Sequence, residues 1–132
     1  MQVKIGNTDL SQYVQKKSYN IDSEDEYTEW KDSTLRKHRG GYVSKVKGSF
    51  ELVFIDGYTS NNAVVDGYGD FLTLIANNST DKKLSISLTV NNLNNTLKAI
   101  TAYYRLDTKE FKYANNGSNC IVKRVTMTIE ER

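Results

Sequence analysis

The chain contains no proline, and it has one cysteine, one histidine and one tryptophan in 132 residues. Each scarcity removes a class of chemistry. A single Cys120 cannot form an internal disulfide, and it precedes an alternating segment, where it reads as a small buried or half-buried side chain. A cysteine nucleophile needs a base beside it, and the one imidazole, His38, sits in a charged stretch far away in sequence. No run approaches the ~18 apolar residues of a membrane span, and no apolar N-terminal stretch resembles a signal peptide. A soluble protein made in a reducing compartment is therefore expected. HExxH, CxxC, GxSxG and the phosphate-cradling glycine loop are all missing. The two glycines of "GYGD" at 67–70 have the wrong spacing for a phosphate loop and read as the start of a helix.

What is present fits one domain, residues 1–132, long enough to enclose a hydrophobic core. The formal net charge is +2 and the pI about 8.6, too mild for a nucleic-acid surface, which normally carries a basic face or stripe. Asparagine recurs in pairs, at 61–62, 77–78, 91–92, 94–95 and 115–116. Asparagine tolerates left-handed backbone and caps turns, so these pairs punctuate the chain.

Between the pairs, period-two patterns dominate. Residues 2–5 form a short strand, 9–14 a short turn or one helical turn with Leu10, Tyr13 and Val14 inward, and 15–22 a further alternation. "YVSKVKGSFELVFI" (42–55) places Val46, Phe50, Leu52 and Phe54 on one face, with Gly48 marking a bulge or a close backbone approach. Its apolar end, "LVFI", is expected to be covered on both faces. Residues 67–77 carry the one helical pattern, with Tyr68, Phe71, Leu72 and Ile75 on a stripe. "KLSISLTV" (83–90) alternates strictly. Residues 96–113 read as a hairpin turning at Asp107-Thr108-Lys109, followed by a turn at Asn116-Gly117 and a last strand over 120–130. About seven strands and one helix predict a mainly β fold, an antiparallel β-sandwich or flattened barrel with one α-helix packed on it. The predicted buried set is Val46, Phe50, Leu52, Phe54, Phe71, Leu72, Ile75, Leu84, Ile86, Leu88, Val125, Met127 and Ile129.

One segment fits none of these patterns. "DSEDEYTEWKDSTLRKHRGGY" (22–42) begins with five acids and ends with a basic cluster, and it predicts a long charged loop at about 22–41. Calcium would want a glycine bend and a later bidentate Glu, and "DSEDE" has neither, so no metal or cofactor is assigned. Tyr27 and Trp30 are amphipathic rings in a polar stretch, the kind of residue that packs on a partner. The acids Asp25 and Glu26 and the bases Arg36, Lys37, His38 and Arg39 complete the candidate interface. The alternative is an internal hairpin whose arms neutralise each other in solvent, worth ~0–1 kcal/mol per exposed pair.

The stretch "NIDSEDEYTEWKDSTLRKHRGGYVSKVKGSFELVF", the central "FLTLIANN" and the closing "VTMTIEER" resemble small structural proteins encoded among the tail genes of long-tailed phages and prophages of Gram-positive bacteria. The resemblance covers essentially the whole chain and rests on residue classes. It implies a non-enzymatic component of the tail tube or baseplate, or a tail-completion protein, located in the virion and assembled in the host cytoplasm. It implies other copies of the chain, in a ring or stack, and other tail proteins as partners. No membrane is involved, and nucleic acid enters only passively if the protein lines a tail lumen. From another class, the aromatic content and Asn-rich turns suit a small carbohydrate- or cell-surface-binding β-sandwich module. A hydrolase with dispersed acids has no positive signal, because any chain with 16 acids permits an acid pair.

Overall fold

A computed structural model describes residues 1–31, 37–60, 62–115 and 118–132, with the backbone alone described for 26–31, 37–43, 59, 60, 63, 113–115, 118 and 119. The elements run β1 (Val3–Ile5), β2 (Thr8–Asp9), two 3-10 turns (Ser11–Tyr13 and Lys16–Ser18), β3 (Asn20–Lys31), β4 (Lys37–Asp56), β5 (Thr59–Ser60) and β6 (Ala63–Val64). Helix α1 (Gly67–Asn77) follows, then β7 (Ser79–Thr80), β8 (Lys83–Val90), β9 (Thr96–Asn115) and β10 (Ser118–Glu131).

Among the described residues, eight strands form one antiparallel sheet in the order β2-β1-β8-β9-β10-β4-β3, with β7 beside β8, and β5-β6 form a separate pair. The fold is mainly β with one helix packed on it, as the alternation requires. The sheet is single and not closed, so the sandwich is not the arrangement adopted. It curls instead. The turn after β8 folds back on β3, where Asn91 N–H donates to the Ile21 carbonyl (2.9 Å). The Asn92 side-chain amide bridges the Ser23 N–H and carbonyl, each at 2.7 Å.

The concave face holds the core. Val46, Phe50, Leu52 and Phe54 of β4, Leu84, Ile86, Leu88 and Val90 of β8, and Val125, Met127 and Ile129 of β10 are buried together. Val3, Ile5, Leu10, Val14, Ile21, Ile100 and Ala102 extend that core. Phe54 is its centre, with ring centroids 4.8 Å from Tyr13 and 5.2 Å from Phe71.

Helix α1 starts where two carboxylates collect its free N–H groups. Asp66 accepts from Gly69 N–H (3.0 Å), and the buried Asp56 accepts from Gly67 (2.8 Å) and Tyr68 (3.0 Å). Asp56 thus ties the end of β4 to the helix. Phe71 and Ile75 face the core, and Leu74 packs against it. Leu72, predicted inside, is 39% exposed. It lies about 100° round the helix from Phe71, at the margin of the stripe centred on Phe71 and Ile75. Ile55 is another correction, 55% exposed, because the helix covers only one face and none of the described residues forms a layer on the other.

Gly48 is the predicted close approach. With φ +147°, it sits where an added Cβ would lie 1.8 Å from the Asn20 carbonyl oxygen. The register there is regular, Gly48 opposite Ile21 and Ile129. The irregularity falls later, between the Tyr27 and Glu29 positions, where Gly40 and Gly41 of β4 face Thr28 alone.

Two predicted loops are strand. No turn forms at 107–109: β9 runs straight through, with Asp107 opposite Thr126 and Lys109 opposite Arg124. Its hairpin closes between Asn115 and Ser118, and Asn116-Gly117 lies outside the described residues. The segment 22–41 is likewise β-hairpin on both described sides, paired out to Lys31 opposite Lys37. Segment 22–41 runs past the core beyond Ser23, and 107–109 lies on exposed edge strand that β8 no longer flanks, so in both the alternation that marks a half-buried strand fades.

Candidate interaction surface

Strands β4 and β3 run past β10 at one end of the sheet, and β9 and β10 run past β8 and β4 at the other, which leaves two arms. The pairing of β10 with β4 runs from Ile121–Asp56 to Glu130–Lys47. Above Lys47, β4 and β3 continue together as a first arm to Lys37 and Lys31. At the opposite end, β9 and β10 continue as a second arm, because β8 leaves β9 at Tyr103 and β4 leaves β10 at Ile121. The arms project from opposite ends of one sheet.

The first arm contains the candidate interface residues. Asp25 faces Ser44, whose hydroxyl donates to its carboxylate at 2.5 Å. Glu26 is opposite Val43, Tyr27 opposite Tyr42, Trp30 opposite His38, Lys37 opposite Lys31 and Arg39 opposite Glu29. Arg36 lies outside the described residues. The register sets acids against bases: Asp22 against Lys47, Glu24 against Lys45, Glu29 against Arg39. Directly opposite residues share a face, so the Asp22–Lys47 and Glu24–Lys45 pairs favour the hairpin by roughly 0.2–1 kcal/mol each. The internal-hairpin alternative therefore has the register it needs. Asp22 and Lys47 belong to a row that continues through Glu130, 3.8 Å from the Lys47 ammonium, to Tyr103 and Lys83.

Sequence reasoning missed the second arm. From Tyr103 toward it, Arg105, Lys109 and Lys112 of β9 with Lys123 and Arg124 of β10 outnumber Asp107 and Glu110, and β4 still flanks β10 as far as Ile121. On the convex side Glu51, Asp107, Lys109, Phe111, Arg124 and Thr126 line a shallow groove of about 440 Å³, and Arg124 reaches Glu51 at 3.5 Å. Ile55, Val122 and Phe111 form one apolar cross-strand row beside it, with Phe111 42% exposed. The length of the last alternating run held the missing signal: a strand spanning 120–130 needs an equally long partner, which a turn at 107–109 would deny it.

Where β10 ends, Glu131 closes the gap. Its carboxylate accepts the Val46 N–H of β4 at 3.2 Å and lies 3.7 Å from the Lys98 ammonium of β9.

The described residues offer no group of three or more His, Cys, Asp or Glu arranged for a metal ion. Asp56, the buried acid, is engaged by the helix N-terminus. Tyr19 donates its hydroxyl to the Thr89 carbonyl, and burial holds its phenol above the ordinary tyrosine range. Among the described residues no helix is long and apolar enough to cross a membrane. The surface therefore offers strand edges and charge, arranged on two unlike arms.

No family model, curated protein or solved structure matches the chain.

Proposed function

We propose that this protein is a non-enzymatic structural component of a phage or prophage tail that works by head-to-tail self-association and by docking to other tail proteins. The observation that carries the reading is the pair of unlike arms at opposite ends of one sheet, each with strand edge left unpaired among the described residues. Two different surfaces on one chain make heterologous contacts, which close into rings or continue as a helical stack. The resemblance to tail-gene products supports the same reading from the sequence side. The segregated charge fits it too, because complementary charge fixes register and speeds encounter more than it adds affinity.

The test has two arms. Purified protein at increasing concentration is followed by sedimentation and negative-stain electron microscopy, where rings or short stacks are expected. Antibody labelling of induced tail particles should decorate the tail. A protein that stays monomeric at every concentration and is absent from the particles overturns the reading.

A further inference from the structure

We propose that the free edge of β9, residues 104–112, receives the acidic outer edge of β3, residues 24–31, from a second copy as an added antiparallel strand. This rests on the head-to-tail reading above and names the two surfaces that meet.

The hydrogen-bond accounting comes first. Arg132 N–H donates to the Thr101 carbonyl at 3.0 Å, so odd-numbered residues of β9 turn their backbone groups toward β10. Beyond Tyr103, residues 104, 106, 108, 110 and 112 then point their N–H and C=O groups away from the sheet, and no described strand pairs with them. On β3, Ile21 and Ser23 send theirs outward to Asn91 and Asn92, so residues 25, 27, 29 and 31 continue that outward row. Unpaired rows of this kind template the addition of another strand.

The two free stretches also match. That of β9 begins where β8 ends, at Tyr103, and that of β3 begins where the Asn91 and Asn92 contacts end, at Ser23. They are about nine and eight residues long, which sets their contact at roughly 27–30 Å for ~3.4 Å per residue. Neighbouring strands alternate in direction from β3 through β4 and β10 to β9, so β3 and β9 run oppositely. A copy displaced sideways without inversion therefore brings its β3 against β9 in antiparallel sense, and the sheet continues from one subunit to the next.

Charge selects the occupant. The receiving stretch of β9 holds Arg105, Lys109 and Lys112 against Asp107 and Glu110, with Lys123 and Arg124 behind it on β10. The entering strand segment holds Glu24, Asp25, Glu26 and Glu29 against Lys31 alone. Asp22 and Tyr103 lie in one row of the same copy, with the free part of β3 on one side of it and that of β9 on the other. Bringing them together shifts neighbours by about eleven residues, or roughly 37 Å along the strands. The contact thus joins successive levels of a stack.

The experiment uses the full chain. Glu110→Pro removes one outward N–H at an exposed edge position, where proline leaves the pairing with β10 intact. It should raise the concentration needed for assembly at least tenfold while the circular dichroism and melting of the monomer stay near those of the parent. Lys109→Glu with Lys112→Glu should block assembly, and adding Glu24→Lys with Glu26→Lys to the same chain should restore it. Unchanged assembly by Glu110→Pro overturns the proposal and leaves head-to-tail association standing through other surfaces. Blocked assembly that the acid reversals do not restore also overturns it, by assigning the β9 edge to a different occupant. A parent chain that never assembles removes the functional reading itself.

Discussion

Gly48→Ala is the most informative single change in the core of the sheet. The residue sits at φ +147°, and its new Cβ would fall 1.8 Å from the Asn20 oxygen, 2.9 Å from the Asn20 carbonyl carbon and 3.0 Å from Ile21 Cα. All three neighbours are backbone, so no flexible side chain can yield. Relief requires β3 to move away from β4 at Asn20 and Ile21, where Ile21 is fully buried and also accepts from Asn91. Backbone strain in a glycine-only region alone costs ~1–3 kcal/mol. The displaced pairing adds to it, so a loss of about 3–4 kcal/mol is expected, a large share of a typical 5–15 kcal/mol stability. For a domain of this size that corresponds to a melting point lower by roughly 10–15 °C. The assay is urea unfolding followed by circular dichroism, with Gly57→Ala as the control. Gly57 also has positive φ (+84°), but its nearest neighbour to a new Cβ is an Ile121 side-chain atom at 3.4 Å, so strain acts there without a clash. Losses within about 1 kcal/mol of each other, the scale of ordinary surface changes, would refute the close-approach reasoning and mean that the β3–β4 register can slide or open freely.

Three further outcomes are expected. Phe50→Ala empties a fully enclosed site beside Tyr19 and should cost about 3–5 kcal/mol by denaturant unfolding. Asp56→Ala leaves two N–H groups at the start of α1 without their carboxylate, and a loss of about 2–3 kcal/mol is expected from thermal or urea melts. Burial raises the Tyr19 phenol above its unfolded value, so its share of stability is fully present below about pH 10 and is lost as pH rises through the folded value. Alkaline unfolding should therefore be less steep in Tyr19→Phe, whose lost hydrogen bond to Thr89 lowers stability by about 1 kcal/mol at neutral pH.

The parts of the fold that were legible in the sequence are those with one wet face and one dry face. Strand β8 alternates without a break, and Leu84, Ile86, Leu88 and Val90 are all buried. Strand β4 keeps the same period around Gly48, and the bounds of α1 agree with its stripe and its Asp66 and Asn78 termini. Leu72 was misplaced because a four-residue spacing from Tyr68 reaches the edge of the stripe as easily as its centre. Ile55 was misplaced because an apolar residue on a convex face looks the same in sequence as one beneath a second layer.

The stretch expected as a charged loop at 22–41 and the turn expected at 107–109 share one physical feature. Beyond Ser23 the first arm leaves the core, and from Arg105 to Lys112 β9 is an edge strand whose residues are mostly exposed, so the constraint that elsewhere keeps one side apolar is relaxed. Charged residues then occupy both faces, the period of two fades, and Asp107-Thr108-Lys109 or Asp22-Ser23-Glu24-Asp25-Glu26 looks like punctuation. A chain gains little stability from an arm of this kind, since exposed cross-strand ion pairs contribute only ~0–1 kcal/mol and an unpaired edge invites unwanted association. Two such arms at opposite ends, one with an acidic edge strand and the other basic, become useful once a neighbour covers them. The stretches least legible as monomer structure are thus the ones on which the proposed assembly depends. If they serve that contact, salt should weaken assembly steeply, over the range where the Debye length falls from ~10 Å to ~3 Å, and should leave the melting of the monomer nearly unchanged. Melting and assembly that respond to salt in parallel would instead assign those charges to the internal pairing of each hairpin.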